Sequence, residues 1–165
     1  SKLEAAGVEP ALEWFSLSEL LHDVNQEFEL QAKGKGVSIE VDAAQEACRV
    51  HADIGLIQRV LENLIRNALK YTPAGGAITI SLDCRPDRVA VAVADTGCGI
   101  EEEELEHIFD RFYRNPRSNE GEEDSTGLGL AIVKRILDLH GSRITVTSQM
   151  NHGTRFEFDI PAQAA

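Results

Sequence analysis

The sequence predicts an α+β fold in which a layer of helices covers a mixed sheet, a two-layer α/β sandwich. Three segments repeat apolar residues at the three- and four-residue spacing of amphipathic helices. Between them lie shorter apolar or alternating runs that are typical of strands. Two pairs of these runs are joined by short turns, at 85–87 and 151–153, and such pairs indicate hairpins. Helices mixed with hairpins favour this two-layer arrangement.

Each predicted helix has a start and a stop signal. The first begins at Ser16 or Ser18 and ends at Gly34 or Gly36, and the second begins at Asp53. The second ends at Pro73, and the third follows the glycine-rich turn at 127–130 and ends at Gly141; a short helix is expected within 102–112. The apolar faces comprise Leu17, Leu20, Leu21, Val24 and Phe28, then Ile57, Val60, Leu61, Leu64, Ile65 and Ala68, then Ile132, Val133, Ile136 and Leu137.

The strands are expected at 37–41, 77–82, 89–94, 143–148 and 154–160. The run at 89–94 is apolar on both faces, which is typical of a central strand. The run at 156–160 alternates, so one of its faces should meet water.

Length and composition indicate one domain. With 165 residues and 42% hydrophobic content, the chain can bury a substantial core. Residues 1–13 are interpreted as the end of a preceding helix or linker, 14–161 as the domain, and 162–165 as a tail. No apolar run has the roughly 18–20 residues that cross a bilayer, so no direct membrane contact is expected.

The net charge limits the classes of partner, and the cysteines indicate the cellular location. A net charge of −12 argues against nucleic acid and anionic membranes, and it means that a triphosphate would need a metal ion, helix N-termini and a few cations. Cys48, Cys84 and Cys98 are odd in number and lack CxxC spacing, which favours reduced thiols and a cytoplasmic location.

The hexapeptide 95–100 is the first candidate binding element. Asp95 ends the predicted central strand, and Gly97 and Gly99 loosen the turn that follows. A carboxylate beside closely approaching backbone is suited to a flat, nitrogen-rich ligand such as a nucleobase. Asp-Thr-Gly also occurs in ordinary turns and in the nucleophile loop of aspartic proteases.

Two further elements are suited to a metal-bound triphosphate. Asn63, Asn67 and Lys70 fall on one stripe of the second helix, and an asparagine carbonyl is a suitable Mg²⁺ ligand, although an isolated Asn pair more often forms local hydrogen bonds. The turn at 125–130 adds the hydroxyls of Ser125 and Thr126 and opens a helix, which favours phosphate binding. It matches neither a P-loop nor a dinucleotide fingerprint.

Together these segments resemble the ATP-binding catalytic domain of sensor histidine kinases, whose superfamily includes gyrase-type topoisomerases, heat-shock-90 chaperones and mismatch-repair ATPases. The resemblance covers nearly the whole chain and implies a Bergerat-type ATP-binding fold, with a mostly antiparallel sheet and three main helices on one face. The matching motifs are the N box at 63–73, the first glycine box at 95–100, the F box at 108–114, the second glycine box at 126–130 and a closing motif at 153–156.

The resemblance implies roles at the base end of the site. Asp95 would accept the adenine amino group, with Thr154 supporting that contact, and Tyr71 would contact the base or sugar. The turn itself would line the pocket through Gly97, Gly99 and Ile100.

It also implies roles at the phosphate end. Asn67 would coordinate Mg²⁺, Asn63 would support the metal or its waters, Lys70 would contact phosphate and Arg114 would reach the γ-phosphate. The phosphates would be cradled by Thr126, Gly127, Leu128, Gly129 and Leu130. Phe109 and Phe112 are interpreted as packing anchors of a mobile lid, predicted to be disordered without nucleotide, with its acids, Glu120, Glu122, Glu123 and Asp124, turned to solvent.

One position separates kinases from their hydrolase relatives. Topoisomerases and chaperones carry a glutamate four residues before the metal-binding asparagine, where this chain has Asn63. An amide cannot act as a general base, and Glu62 lies about 100° away around the helix. We therefore expect slow hydrolysis and an external nucleophile. None of the five histidines, His22, His51, His107, His140 and His152, has the context of a phosphoacceptor; each is interpreted as a surface or packing residue.

The sequence thus predicts the catalytic half of a protein histidine kinase, which presents Mg²⁺-ATP to a histidine on a separate dimerisation and phosphoacceptor domain of the same parent. The expected partners are that domain and a response regulator receiver domain, with no nucleic acid. The parent is expected to be a homodimer, cytoplasmic or anchored in the inner membrane. Two alternatives stay open: a regulatory nucleotide-binding module without transferase activity, and a serine-directed anti-sigma kinase of the same fold.

Overall fold

The computed structural model describes residues 9–43, 48–113 and 129–162. In chain order, the elements within these ranges are β1 Glu13–Ser16, α1 Leu17–Lys35, β2 Ser38–Ala43, β3 Arg49–Ala52, α2 Ile54–Tyr71, β4 Ala77–Cys84, β5 Arg88–Asp95, α3 Glu102–Leu105, α4 Gly129–Leu139, β6 Thr145–Gln149 and β7 Gly153–Pro161.

A five-stranded sheet in the order β2-β4-β5-β7-β6 carries the fold. β2 and β4 are parallel, and the other three pairs are antiparallel. The predicted mixed, mostly antiparallel sheet is confirmed. β5 is the central strand of this order, and apolar residues on both of its faces are buried, as its sequence predicts.

The three long helices form the second layer, with α2 in contact with α1, α4 and β5. Ser16 caps α1 by accepting a hydrogen bond from the Glu19 amide at 3.2 Å, and Asp53 caps α2 by accepting one from the Leu56 amide at 3.2 Å. α1 ends at Gly36, whose φ of 79° suits glycine. The buried faces of the three helices are the predicted ones, except that Ile132 is only partly buried.

A second sheet, formed by β1 and β3, lies outside the sequence prediction. The two strands are antiparallel, and the Trp14 ring stacks on the His51 ring with centroids 4.7 Å apart. Part of β1 falls within the segment interpreted as a linker. Strands of four residues show too few alternations for a period of two to be recognised.

Two further expectations are corrected. The helix expected within 102–112 is a single α-helical turn at Glu102–Leu105, followed by turns. Cys48 and Cys84 are joined as a disulfide, with Cα atoms 5.8 Å apart, so the prediction of three reduced thiols is wrong for this pair. Cys98 is free. The proposed domain boundaries remain predictions.

None of the helices in the described part of the chain is both long and apolar enough to span a bilayer.

Candidate nucleotide-binding site

Asp95 stands at the end of β5, where two backbone amides hold its carboxylate. Its Oδ1 atom accepts hydrogen bonds from the Gly97 amide at 2.8 Å and from the Thr154 amide at 3.3 Å. Burial raises the pKa of the Asp95 carboxyl, and these two amides only partly offset that effect. The carboxylate is thus fixed in direction and poorly solvated, which favours a ligand that brings its own hydrogen-bond donors.

The turn after Asp95 is pressed against the end of α2. The Cys98 amide donates a hydrogen bond to the Tyr71 carbonyl at 3.3 Å, and a Cβ at Gly97 would lie 2.4 Å from that oxygen. Gly99 has a φ of +78°, and a Cβ there would lie 2.4 Å from the Gln149 carbonyl oxygen. Both glycines are therefore required by close backbone approach, and the first glycine box and the N box meet at this point.

Ser148 connects Thr154 to the glycine turn, a role that sequence reasoning missed. Its Oγ accepts from the Ile100 amide at 2.7 Å and lies 3.0 Å from the Gly153 carbonyl oxygen and 2.9 Å from Thr154 Oγ1. When Ser148 donates to the Gly153 carbonyl, Thr154 donates to Ser148 and keeps its own lone pairs open. Thr154 is buried beside Asp95, and its supporting role at the adenine contact stays a prediction.

Asn63 and Asn67 lie one turn apart on the half-buried border of α2. The Nδ2 atom of Asn63 donates to the Arg59 carbonyl at 2.9 Å. A Cβ at Gly129, the first residue of α4, would lie 3.4 Å from Asn63 Oδ1. The N box is therefore also in contact with the end of the second glycine box, and Leu130 follows in the first turn of α4.

One side-chain oxygen on α2 is a donor of the kind that magnesium accepts. Within the described ranges, no cluster of three or more His, Cys, Asp or Glu side chains is suited to hold a metal ion. The Asn67 amide makes no side-chain hydrogen bond to another described residue, so its oxygen is open to a ligand. A single amide oxygen suits Mg²⁺, which commonly keeps waters and takes phosphate oxygens as its remaining ligands.

Two lysine side chains lie at the C-terminal end of α2. Lys70 Nζ lies 5.4 Å from the centroid of the Tyr71 ring. Lys35, at the end of α1, donates to the Leu69 carbonyl and, at 3.2 Å, to the Lys70 carbonyl. It thereby satisfies carbonyl groups at the C-terminus of α2, a contact that only the tertiary structure shows.

The F box divides into a packed and an exposed part. Phe109 packs edge-on against Phe156 with ring centroids 6.2 Å apart, which confirms it as an anchor. Phe112 is 64% exposed, so the same expectation is wrong for Phe112. Tyr113 donates a hydrogen bond to Glu104, and burial together with that carboxylate raises the pKa of the Tyr113 hydroxyl.

Several predicted site residues lie outside the described ranges: Arg114, Thr126, Gly127 and Leu128, together with the acidic residues of the expected lid. Among the described ones, the structure brings together two groups along α2. One comprises Tyr71, Asp95, Gly97, Gly99, Ile100 and Thr154, and the other comprises Asn63, Asn67, Gly129 and Leu130.

Residues 52–164 match the sequence profile of the histidine kinase-, DNA gyrase B- and HSP90-like ATPases. The chain belongs to this family. The family relationship agrees with the pairing of the two glycine boxes with the N box.

Relatives and solved structures specify the branch of the family to which the chain is similar. It is 39% identical over 148 residues to the adaptive-response sensory kinase SasA of Microcystis aeruginosa, a match that covers 89% of this chain and 38% of that protein. The chain thus spans well under half the length of that curated relative.

Two solved structures show the same fold. The catalytic domain of histidine kinase ThkA, in a nucleotide-free form, superposes with a TM-score of 0.81 at 33% identity, covering 93% of this chain and 99% of that one. Full-length ShkA in complex with AMPPNP superposes with a TM-score of 0.85 at 30% identity, covering 99% of this chain and 34% of that one.

Proposed function

We propose that this chain is the ATP-binding catalytic domain of a sensor histidine kinase and presents Mg²⁺-ATP for phosphoryl transfer to a histidine on a separate domain of the same parent. The observation that carries the proposal is the double contact of α2. At the end of α2, the Tyr71 carbonyl accepts a hydrogen bond from the turn that follows Asp95. Farther toward the start of α2, Asn63 faces Gly129, the first residue of α4. The proposed base end and the proposed phosphate end therefore lie along one helix.

At the base end, Asp95 would accept the adenine amino group, Thr154 would support it, and Tyr71, Gly97, Gly99 and Ile100 would line the pocket. At the phosphate end, Asn67 would hold Mg²⁺, with Asn63 supporting its waters and Lys70 contacting phosphate. Bound Mg²⁺ would neutralise phosphate charge. Catalysis would then rest on positioning and charge neutralisation. Arg114 and the turn 126–130 complete the proposed phosphate site.

An amide rather than a carboxylate at position 63 of α2 supports transfer rather than hydrolysis. Asn63 occupies the position from which a glutamate would activate water, and its amide donates to the Arg59 carbonyl. Burial, followed by the neighbouring Glu27 carboxyl on α1, raises the pKa of Glu62. Because Glu62 lies beside Glu27 of α1, we do not propose it as a general base for hydrolysis.

A transfer assay tests the proposal. The chain is mixed with the parent's dimerisation domain and ATP labelled at the γ-phosphate. We expect acid-labile phosphohistidine on the added domain, with little free phosphate from the chain alone. Mg²⁺-AMPPNP binding without transfer to that domain would favour a regulatory module, and label on a serine would favour the anti-sigma type of kinase.

The proposed partners follow from this activity: a dimerisation and phosphoacceptor domain, a homodimeric parent and a response regulator receiver domain. We propose a cytoplasmic location for the domain, with the parent free in the cytoplasm or anchored in the inner membrane.

A further inference from the structure

His140 joins the end of α4 to the start of α2. It follows the last residue of α4, and Gly141, with a φ of 67°, ends the helix. The His140 Nε2 atom lies 3.1 Å from the Asp53 amide nitrogen, and its Nδ1 atom lies 2.8 Å from the Ile136 carbonyl oxygen.

These contacts define the hydrogen-bond role of each ring nitrogen. A backbone amide only donates, so Nε2 must accept and carries no proton when the bond to Asp53 forms. The proton then resides on Nδ1 and is donated to the Ile136 carbonyl, one of the carbonyls left open at a helix end. Both ring nitrogens of His140 are thus engaged, which distinguishes it from an ordinary surface histidine.

Asp53 brings a third element to the same point. Its Oδ1 accepts from the Leu56 amide in the first turn of α2, and its Oδ2 accepts from the Ala11 amide at 2.9 Å. The segment before β1, the start of α2 and the end of α4 therefore meet at one hydrogen-bonded joint.

The joint fixes how α4 lies along α2. The two helices are antiparallel, since the start of α2 meets the end of α4 at His140, and Asn63, farther along α2, meets Gly129 at the start of α4. α4 has 11 residues and is about 16 Å long, close to the roughly 15 Å that separates Asp53 from Asn63 along α2. Because a helix is stiff, the His140–Asp53 contact at the end of α4 also restricts the position of Gly129 at its start.

The buried side chains of α4 supply packing rather than hydrogen bonds. The buried residues of α4 are apolar, namely Val133, Ile136 and Leu137. The hydrophobic effect that drives such packing is non-directional, whereas a hydrogen bond restricts both a distance and an angle. A shift of α4 along its axis would move Gly129 away from Asn63.

We propose that His140 is a positioning residue of the nucleotide site: through its bond to the Asp53 amide it holds the start of α4, and with it the end of the phosphate-binding turn, against Asn63. This role rests on the proposed function, because it matters only if phosphates bind there. It predicts that removing the His140–Asp53 hydrogen bond weakens binding of a ligand that carries phosphates and leaves binding of the base and sugar alone nearly unchanged.

The test uses the 165-residue chain, two variants and two ligands. His140→Leu removes the acceptor for the Asp53 amide, whereas His140→Gln restores an acceptor oxygen at a similar distance from the backbone. His22→Leu, at an exposed position of α1, is the matched control. Affinity is measured by calorimetry for Mg²⁺-AMPPNP and by NMR titration for adenosine, and thermal melting checks that each variant folds.

We expect His140→Leu to bind Mg²⁺-AMPPNP about tenfold more weakly, while its adenosine affinity changes less than about twofold. His140→Gln should recover to within about threefold of the wild type. In the same NMR spectra, the Gly129 amide resonance should move in His140→Leu and return in His140→Gln.

Three results would overturn the positioning role. They are unchanged Mg²⁺-AMPPNP affinity in His140→Leu, an equal loss for both ligands, which reports general packing, and failure of the glutamine variant to recover. If the wild-type chain bound neither ligand, the proposed function itself would fail, and the positioning role with it. The wild-type titration therefore separates the two failures.

Discussion

At the base end of the candidate site, Asp95 is held by backbone amides of a turn and a strand, whereas at the phosphate end the polar groups are amide side chains on a helix. Asp95 Oδ1 has two fixed donors. Asn67 makes no side-chain hydrogen bond to any residue in the described ranges, and Asn63 faces a helix whose position depends on a distant joint. The Asp95 end is preorganised by the sheet, whereas under the proposed function a metal and its ligand would complete the phosphate end.

The largest effect is expected at the base end, from Asp95→Asn. The variant keeps an oxygen that can accept from Gly97 and Thr154, but it presents an amide group where an adenine amino group needs an acceptor. We expect Mg²⁺-AMPPNP affinity to fall by at least about 100-fold. Calorimetry measures this, and retained affinity would remove Asp95 from the site.

The same variant should keep its fold. Burial raises the pKa of the Asp95 carboxyl, so the buried charge opposes folding at neutral pH, and the neutral amide removes that cost. The melting temperature of Asp95→Asn at neutral pH should equal or exceed that of the wild type. A large decrease would show that the lost affinity reports unfolding.

The next effect is expected at the phosphate end, from Asn67→Ala. Its Mg²⁺-AMPPNP affinity should fall about tenfold, and removal of Mg²⁺ with a chelator should weaken the wild type more than the variant. Gln26→Ala, exposed on α1, is a control that should change neither value. Equal sensitivity to chelation in Asn67→Ala and the wild type would exclude Asn67 as the metal ligand.

A smaller effect is expected from Ser148→Ala, which leaves the Ile100 amide without its side-chain acceptor and frees Thr154 Oγ1. We expect an affinity decrease of about fivefold for both adenosine and Mg²⁺-AMPPNP, because a neutral hydrogen bond contributes about 1 kcal/mol. Titration with both ligands checks this. A loss confined to the triphosphate would place Ser148 outside the base end.

The smallest effect on affinity near neutral pH is expected from lowering the pH. Because the pKa of the Asp95 carboxyl is raised, it takes up a proton at a higher pH than an ordinary aspartate. Adenosine affinity should therefore decrease as the pH falls toward that raised pKa. The contribution of Asp95 to stability has the opposite sign: it is present at low pH and lost as pH rises through the raised pKa. Affinity that stayed constant on acidification of the folded chain would contradict the adenine contact.

Local motifs of the site could be predicted from the sequence, whereas contacts between residues far apart in the chain could not. Asp95 and Gly97 were predictable because the turn is a local motif, and the spacing of Asn63 and Asn67 follows from the helical period. Ser148 and His140 were missed because their partners lie 48 and 87 residues away along the chain, at Ile100 and Asp53.

In the fold, too, elements with a clear local pattern were predicted and those without one were not. The long helices and the central strand were predicted from their periodicity and caps, whereas the short pair β1 and β3 has no recognisable period. Phe112 and Phe109 belong to one motif, yet only Phe109 packs, because burial depends on which way the chain turns after α3.

Binding of a single ligand along α2 requires that the base end and the phosphate end form one site. An NMR titration of the isotope-labelled chain with Mg²⁺-AMPPNP tests it directly. We predict that the amides of Gly97, Thr154 and Gly129 shift together with a single binding isotherm. Shifts confined to one end, or separate isotherms for the two ends, would contradict it.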